Sequence, residues 1–331
     1  MYSELEDIEE KRYINILRES KDYKLLLEYE TCKAYFNNIF MAKISKVLAN
    51  LIQNTKYDKV SRIIPILVSP EIENIQLFEL LKTSTKDGKI VYVPSPPPSI
   101  DMYYHIYNCV IEEFGVPLLE EISRQLQTKE IRRNRCVRVI TDYFHDKTKK
   151  DAVIRWFLGE ELSPSDKTTL GFEESIRMDD NSLEMLKLVG NFSQEVLLLY
   201  IDDLESSYEN IGELAEIKFL ESIKRLHHDV KQLVIIIICS KNLWPKILQL
   251  ADESFNSILG PELEFYTLSQ LKEFIKKVME EYWVKNRVSP PSNPYFPLNE
   301  PLINIIIQKI KGDLRKFFKL YQETISKIIS S

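Results

Sequence analysis

Two short stretches constrain this chain more than any others: Val196-Leu197-Leu198-Leu199-Tyr200-Ile201 and Leu233-Val234-Ile235-Ile236-Ile237-Ile238. Neither alternates polar with apolar residues, as a strand with one wet face would, and the β-branched content favours strand over helix. Unbroken apolar runs of this length belong to central strands of a parallel sheet, because helices cover both of their faces. Helical segments lie between the runs, and a strand–helix–strand order makes neighbouring strands parallel. The expected fold class is α/β, with a doubly wound parallel sheet.

Further strands are expected at Lys24–Glu28, Ile63–Ser69, Lys89–Val93 and Leu263–Leu268, with a polar turn at Tyr29–Cys32. An amphipathic helix is expected from about Lys33 to Gln53, where Phe36, Ile39, Phe40, Ile44, Val47 and Leu48 make an apolar face. Residues 100–189 read as mostly helical with a break at Leu162–Asp166, a helical insertion in the α/β core. Pro94-Ser95-Pro96-Pro97-Pro98 must be a loop, because consecutive prolines continue neither strand nor helix. A helix at Ser269–Trp283, a proline-rich connection at 287–301 and a helical end at Leu302–Ile329 complete the chain. The expected division is an α/β core over 1–260 and a small helical domain over 261–331.

Composition narrows the function classes. The 331 residues are 44% hydrophobic and 28% charged, the balance of a globular chain. A net charge of −6 gives no general attraction to nucleic acid, so such binding would need a local basic patch. No apolar run reaches a membrane span, and the acidic, polar start is not a secretory signal; a cytoplasmic location without membrane contact is expected. Cys32, Cys109, Cys136 and Cys239 are scattered, and His227 and His228 are adjacent, so neither a zinc site, a haem site nor a disulfide framework is expected.

The chemistry concentrates where the first apolar run ends, at Asp202-Asp203. A buried strand that stops on two acids is the Walker B pattern, in which the strand holds the first carboxylate toward a nucleotide-bound Mg²⁺ and the second polarises water. That template makes Asp202 the metal-side residue and Asp203 the catalytic one. The second run ends Cys239-Ser240-Lys241-Asn242, which offers Ser240 or Asn242 as a polar group near a γ-phosphate. Gly312-Asp313-Leu314-Arg315 opens a late helix, and an arginine fork there suits phosphate oxygens.

Taken with Arg155-Trp156-Phe157-Leu158-Gly159-Glu160 and Asp179-Asp180-Asn181-Ser182, these segments resemble AAA+ P-loop ATPases of the archaeal and bacterial origin-recognition and BREX ATP-binding type, over about residues 20–325. The resemblance implies an ATPase core with a helical lid, Ser240 at sensor 1 and Arg315 at sensor 2. ATP with Mg²⁺ is the one cofactor it brings into question.

One part of the pattern is broken. Such proteins carry G-x-x-x-x-G-K-[ST] between the first strand and helix, whereas the expected place reads Leu27-Glu28-Tyr29-Glu30-Thr31-Cys32-Lys33-Ala34. Lys33 keeps the lysine of that loop as a nucleotide-binding candidate. Both glycines and the hydroxyl are gone, so the backbone N–H groups cannot curl freely around a phosphate, and Glu28 and Glu30 repel it. The first glycine of the chain is Gly88. A side chain among Tyr29, Cys32 and Phe36 is expected to intrude on the crevice. The expected function is that of a catalytically impaired, regulatory or structural subunit beside an active AAA+ protein, another subunit or a second copy. An active divergent ATPase and a ligand-free interaction scaffold are the alternatives.

A basic segment between 129 and 150 carries Lys129, Arg132, Arg133, Arg135, Arg138, Lys147, Lys149 and Lys150, with Tyr143, Phe144 and His145 among them. Arginines in that pattern can follow a phosphate backbone while aromatics stack on bases, so DNA is the expected nucleic-acid partner through Arg132, Arg133, Arg135 and Arg138.

Overall fold

The computed structural model describes residues 2–19, 29–68, 74–85, 88–95, 101–126, 135–171, 173–264, 268–310 and 314–330, with only the backbone described at 2–10, 29–43, 74–76, 80, 84, 268–270, 310, 314 and 315. Among the described residues five strands form one sheet in the order β2-β3-β4-β1-β5: β1 Arg62–Val68, β2 Gly88–Val93, β3 Val196–Ile201, β4 Leu233–Ser240 and β5 Leu263–Glu264. The pairs β2–β3, β3–β4 and β4–β1 are parallel, with Leu198 opposite Val234 and Ile64 opposite Ile236. The two apolar runs are thus central strands, and every residue of β3 is buried.

Helices lie against both sheet faces. In chain order they are α1 Tyr2–Glu19, α2 Tyr29–Asp58, α3 Asn74–Ser84, α4 Met102–Leu126, α5 Arg135–His145, α6 Lys150–Phe157, α7 Pro164–Leu170, α8 Asp179–Phe192, α9 Ser206–Asn210, α10 Glu213–Asp229, α11 Trp244–Leu250, α12 Glu253–Ile258, α13 Leu268–Lys285, α14 Glu300–Ile310 and α15 Leu314–Ser330. Leu197, Leu199, Ile201, Ile235 and Ile237 join one core with residues of α4 to α8 and α10. On the other face Phe78 of α3 packs on Tyr200, and Gly88 sits between Leu198 and Ile52 of α2. Each such buried aliphatic or aromatic side chain contributes about 1.5–3 kcal/mol over leaving it in water.

Pro65 falls inside β1 although it lacks an amide. The Gly260 amide donates to the Ile63 carbonyl at 2.8 Å, so alternation turns the backbone groups of 63, 65 and 67 away from β4 and toward the sparsely paired β5 side. There a missing N–H costs no bond to β4.

The helical insertion between β2 and β3 is knitted by the residues singled out in sequence. Asp179 reaches across to accept from the amides of Tyr103 at 2.7 Å and Tyr104 at 3.1 Å, capping the start of α4. Arg155 pairs with Asp166, and the Trp156 indole donates to the Glu174 carbonyl at 3.1 Å. The Gly159 carbonyl accepts from Arg177 at 2.8 Å, with Gly159 at φ 72°. These contacts give the motif a structural role within the insertion.

Two expected boundaries shift. The polar turn at Tyr29–Cys32 is instead the first part of α2, whose start precedes Lys33. The strand at Leu263–Leu268 is paired only over Leu263–Glu264, and Leu268 already belongs to α13. After β4 the chain forms two short helices, because the Asp252 side chain accepts from the Phe255 amide at 2.7 Å and starts α12 afresh. The expected strand at Lys24–Glu28 lies outside the described residues.

Contacts divide the chain into two compact units, one of residues 45–68 and 74–263, the other of residues 1–44, 69–73 and 264–331. The first holds the sheet and insertion. In the second, Tyr13 of α1 packs edge-on against Trp283 of α13 at 5.3 Å, and its hydroxyl donates to the Ser289 carbonyl at 3.0 Å. The N-terminal helix therefore clusters with the C-terminal helices. No described helix is long and apolar enough to cross a membrane.

Candidate functional site at the carboxyl ends of the central strands

In open parallel sheets the crevice for ligands lies beyond the carboxyl ends of the strands, where the strand order reverses. Here that edge gathers the ends of β2, β3, β4 and β1. Asp202 follows β3 and is 7% exposed, its amide donating to the Val93 carbonyl at 3.0 Å. Tyr92 on the neighbouring strand donates its hydroxyl to Asp202 Oδ2 at 2.5 Å. The pairing follows from register: Tyr92 stands opposite Tyr200 with the rings stacked at 5.9 Å, two residues short of Asp202. Phe78 of α3 closes on both rings, at 5.2 Å from Tyr92 and 5.4 Å from Tyr200. Burial, then the Asp202 charge, pushes the Tyr92 phenol well above its ordinary value, so it remains a donor.

Asp203 is exposed and takes φ 52°, a left-handed conformation uncommon outside glycine that Asp tolerates better than most. Its carbonyl accepts from the Ser206 amide at 3.0 Å, turning the chain into α9. Partial burial, followed by Asp202 and Glu209, raises its carboxyl above the usual range.

Two acids that sequence reasoning passed over form the underside of this edge. Glu205 is 7% exposed and accepts from the Ser240 amide at 2.8 Å, tying the chain after β3 to the end of β4; its second oxygen is buried with no hydrogen-bond donor among the described residues. Glu216 on α10 is fully buried, accepts from the Tyr208 amide at 3.1 Å, and likewise has one buried oxygen with no donor among the described residues. Burial pushes Glu216 up to about 8, against the Tyr208 bond and with added repulsion from Glu205. Burial, then Glu205, drives the Cys239 thiol far up as well. Glu216 had a legible signal: with Phe219, Leu220 and Ile223 it occupies i, i+3, i+4 and i+7, the apolar face of its helix.

The structure brings Asp202, Asp203 and Ser240 to one edge, with Lys241 beside them donating its amide to the Val68 carbonyl at 3.0 Å. Lys33 lies on α2, and Arg315 near the start of α15; both belong to the other unit and their side chains are not described. The same holds for Tyr29, Cys32 and Phe36. The aromatic that meets Asp202 is Tyr92.

Topology also relocates the strand-to-helix junction beside β4. The strand adjoining β4 is Arg62–Val68, so the segment leaving its carboxyl end is Ser69-Pro70-Glu71-Ile72-Glu73, ahead of α3, not 27–34. That segment lies outside the described residues, but its composition has no glycine, no lysine and two acids. Among the described residues this edge is acidic, with Asp202, Asp203, Glu205 and Glu209 beside Lys241, and Asp202 accepts from Tyr92.

The basic segment is only partly available. Lys129, Arg132 and Arg133 lie outside the described residues. Arg135 pairs with Glu174, and Lys149 pairs with Asp142 at 2.8 Å. Tyr143 is not a stacking platform as expected: it is 6% exposed, donates to Glu120 at 3.2 Å and carries Lys150 over its ring at 5.0 Å. Arg138, Phe144, His145 and Lys147 remain exposed. Among the described residues no group of His, Cys, Asp and Glu is arranged to hold a metal ion.

No family model and no curated protein matches the chain. Among solved structures it is similar to a chain of Drosophila ORC bound to DNA, with 9% identity and TM-score 0.37 over 76% of this chain and 35% of that one. It is also similar to a chain of Drosophila ORC bound to poly(dA/dT) DNA and Cdc6, with 9% identity and TM-score 0.35 over 80% of this chain and 36% of that one. The chain spans about a third of the length of those chains. At that level the likeness decides neither family nor function.

Proposed function

We propose that this chain is an AAA+-type ATPase homologue that has lost its phosphate cradle, and that it serves as a catalytically impaired regulatory or structural subunit of an ATPase- or DNA-associated assembly. The reading takes the parallel sheet as a doubly wound core and the C-terminal helices as a lid.

The observation that carries it is the contrast along one sheet edge. Two acids stand at the end of β3 beside Ser240 on β4, while the segment leaving the adjoining β1 has neither the glycines nor the lysine that wrap a phosphate. Phosphoryl transfer depends almost wholly on positioning and charge stabilisation, so acids without a cradle have little to act on. In this reading Asp202 would be the metal-side acid, Asp203 the water-side acid, and Ser240 and Arg315 residual phosphate contacts. The Tyr92–Asp202 bond supports weakened metal binding, since it takes up one acceptor site of the carboxylate. Exposed Ile211 (44%), just after α9, and Leu214 (78%), in the first turn of α10, support a protein partner at this end. Exposed Arg138 and Lys147 support contact with DNA.

Calorimetry with Mg·ATP tests the lost cradle. Binding is expected to be no tighter than about 1 mM. Micromolar binding that disappears in Arg315→Ala would overturn the reading.

A further inference from the structure

At the opposite end of the sheet, where β1 and β4 begin, a cavity of about 710 Å³ opens between Lys59–Ser61, the last turn of α10 and α12. That volume falls within the range of small-molecule sites, roughly 300–1,000 Å³. Its wall carries Lys59, Lys224, Arg225, His227, His228 and Lys231, against one carboxylate, Asp229.

Some of these cations are already engaged. Lys224 pairs with Asp252, while Arg225 at 3.6 Å and Lys187 at 3.0 Å share Asp229, which His228 also meets at 3.0 Å. Basic groups on the last turn of α10 also complement the helix dipole, which accounts for them without a ligand. Lys59 and Lys231 are different. Neither lies on that helix, both are exposed, and neither has an ion-pair partner among the described residues.

Both are carried on fixed backbone. Lys59 takes φ 60°, held by the Val60 amide donating to Asp58 at 2.9 Å and by Arg62 donating to Thr55 at 2.9 Å and to the Val60 carbonyl at 2.8 Å. Lys231 precedes Gln232 at φ 54°, and its carbonyl packs on Gly190 so closely that an added Cβ would stand 2.3 Å away. The Ser61 hydroxyl donates to the Val230 carbonyl and accepts from the Leu233 amide at 3.3 Å, stitching the two loops together. Left-handed backbone at non-glycine residues costs free energy, and here it fixes, at Lys59 and beside Lys231, the loops that bring two lysines to the wall of one cavity.

The remaining surface suits an organic body. Val60 is 53% exposed and Ile258 lines the same cavity. The Ser254 and Ser257 hydroxyls are spent within α12, on Asp252 and on the Ser254 carbonyl, both at 2.8 Å. Recognition therefore falls to the lysines, which bind phosphate as point charges. We propose that this cavity binds a small organic phosphate of about nucleotide size, its phosphate at Lys59 and Lys231 and its body against Val60 and Ile258.

The test uses the full chain in EDTA at low salt, titrated by calorimetry with AMP, with inorganic pyrophosphate, and with a single-stranded oligonucleotide. AMP is expected to bind, pyrophosphate more weakly, and Lys59→Gln/Lys231→Gln to weaken AMP by about tenfold or more. Both sites are exposed, so the variant should fold, and its thermal unfolding checks this. As a second readout, AMP should protect the Lys59 and Lys231 amines of the wild-type chain from acetylation, read by mass spectrometry. No heat with AMP at millimolar concentration, AMP affinity unchanged in the variant, or binding of the oligonucleotide alone would each overturn the proposal.

Discussion

The Tyr92 hydroxyl and the Asp202 carboxylate meet at 2.5 Å, joining β2 to the acid-bearing end of β3. The bond gives a nearly buried carboxylate a donor that is neither metal nor solvent. Hydrogen bonds to a charged group contribute about 1.5–3 kcal/mol, more than neutral ones.

Tyr92→Phe should therefore lower stability by about 1.5–3 kcal/mol, since it removes the donor and leaves the ring in place against Phe78 and Tyr200. Urea unfolding measures this directly. A midpoint equal to that of the wild type would mean that the bond contributes nothing to the fold.

Glu216 gives the fold a pH dependence. Its folded value, about 8, lies above the ordinary 4.5, so the folded chain keeps a proton that the unfolded chain has released. The stability this residue contributes is full below pH 4.5 and falls as pH rises toward 8, by up to about 1.4 kcal/mol per unit. Glu216→Gln cannot ionise and should flatten that slope, with Glu205, Asp203 and Asp179, also raised, leaving the remainder. Unfolding free energies from about pH 5 to about pH 8, compared for the two proteins, check the sign; parallel curves would contradict it.

Any DNA affinity should run through the basic segment. Arg132→Glu/Arg138→Glu should weaken binding to duplex DNA for all sequences alike and reduce the slope against salt by about one for each phosphate no longer neutralised. Fluorescence anisotropy at several salt concentrations reads both. Unchanged affinity and slope would place any DNA-binding surface elsewhere.

Much of the sheet was legible because central parallel strands cannot hide: β3 and β4 are continuous apolar runs, and the ends of β3 match the run itself. Helices were legible as amphipathic spacing, but their starts were not. Tyr29–Cys32 looked like a turn beside an apolar stretch and is helical instead. Pro65 argues against a strand interior in sequence, and only the side on which β1 lacks a full partner makes it harmless. Pairing was the larger gap. No local pattern shows that Arg62–Val68 is the strand that adjoins β4. The Tyr92–Asp202 bond is hidden for the same reason, because it depends on the register of β2 against β3. Glu205 reads in sequence as one more solvated acid after Asp202 and Asp203; its bond to the Ser240 amide appears only when the ends of β3 and β4 are side by side.

Phosphate release from ATP by the purified chain with Mg²⁺, beside Asp203→Ala, is the decisive measurement for a lost ATPase. The wild type should release phosphate no faster than the Asp203→Ala variant, with both at the rate of buffer. Turnover above background that falls at least about tenfold on Asp203→Ala would contradict it, because the water-side acid would then be at work in an intact catalytic site.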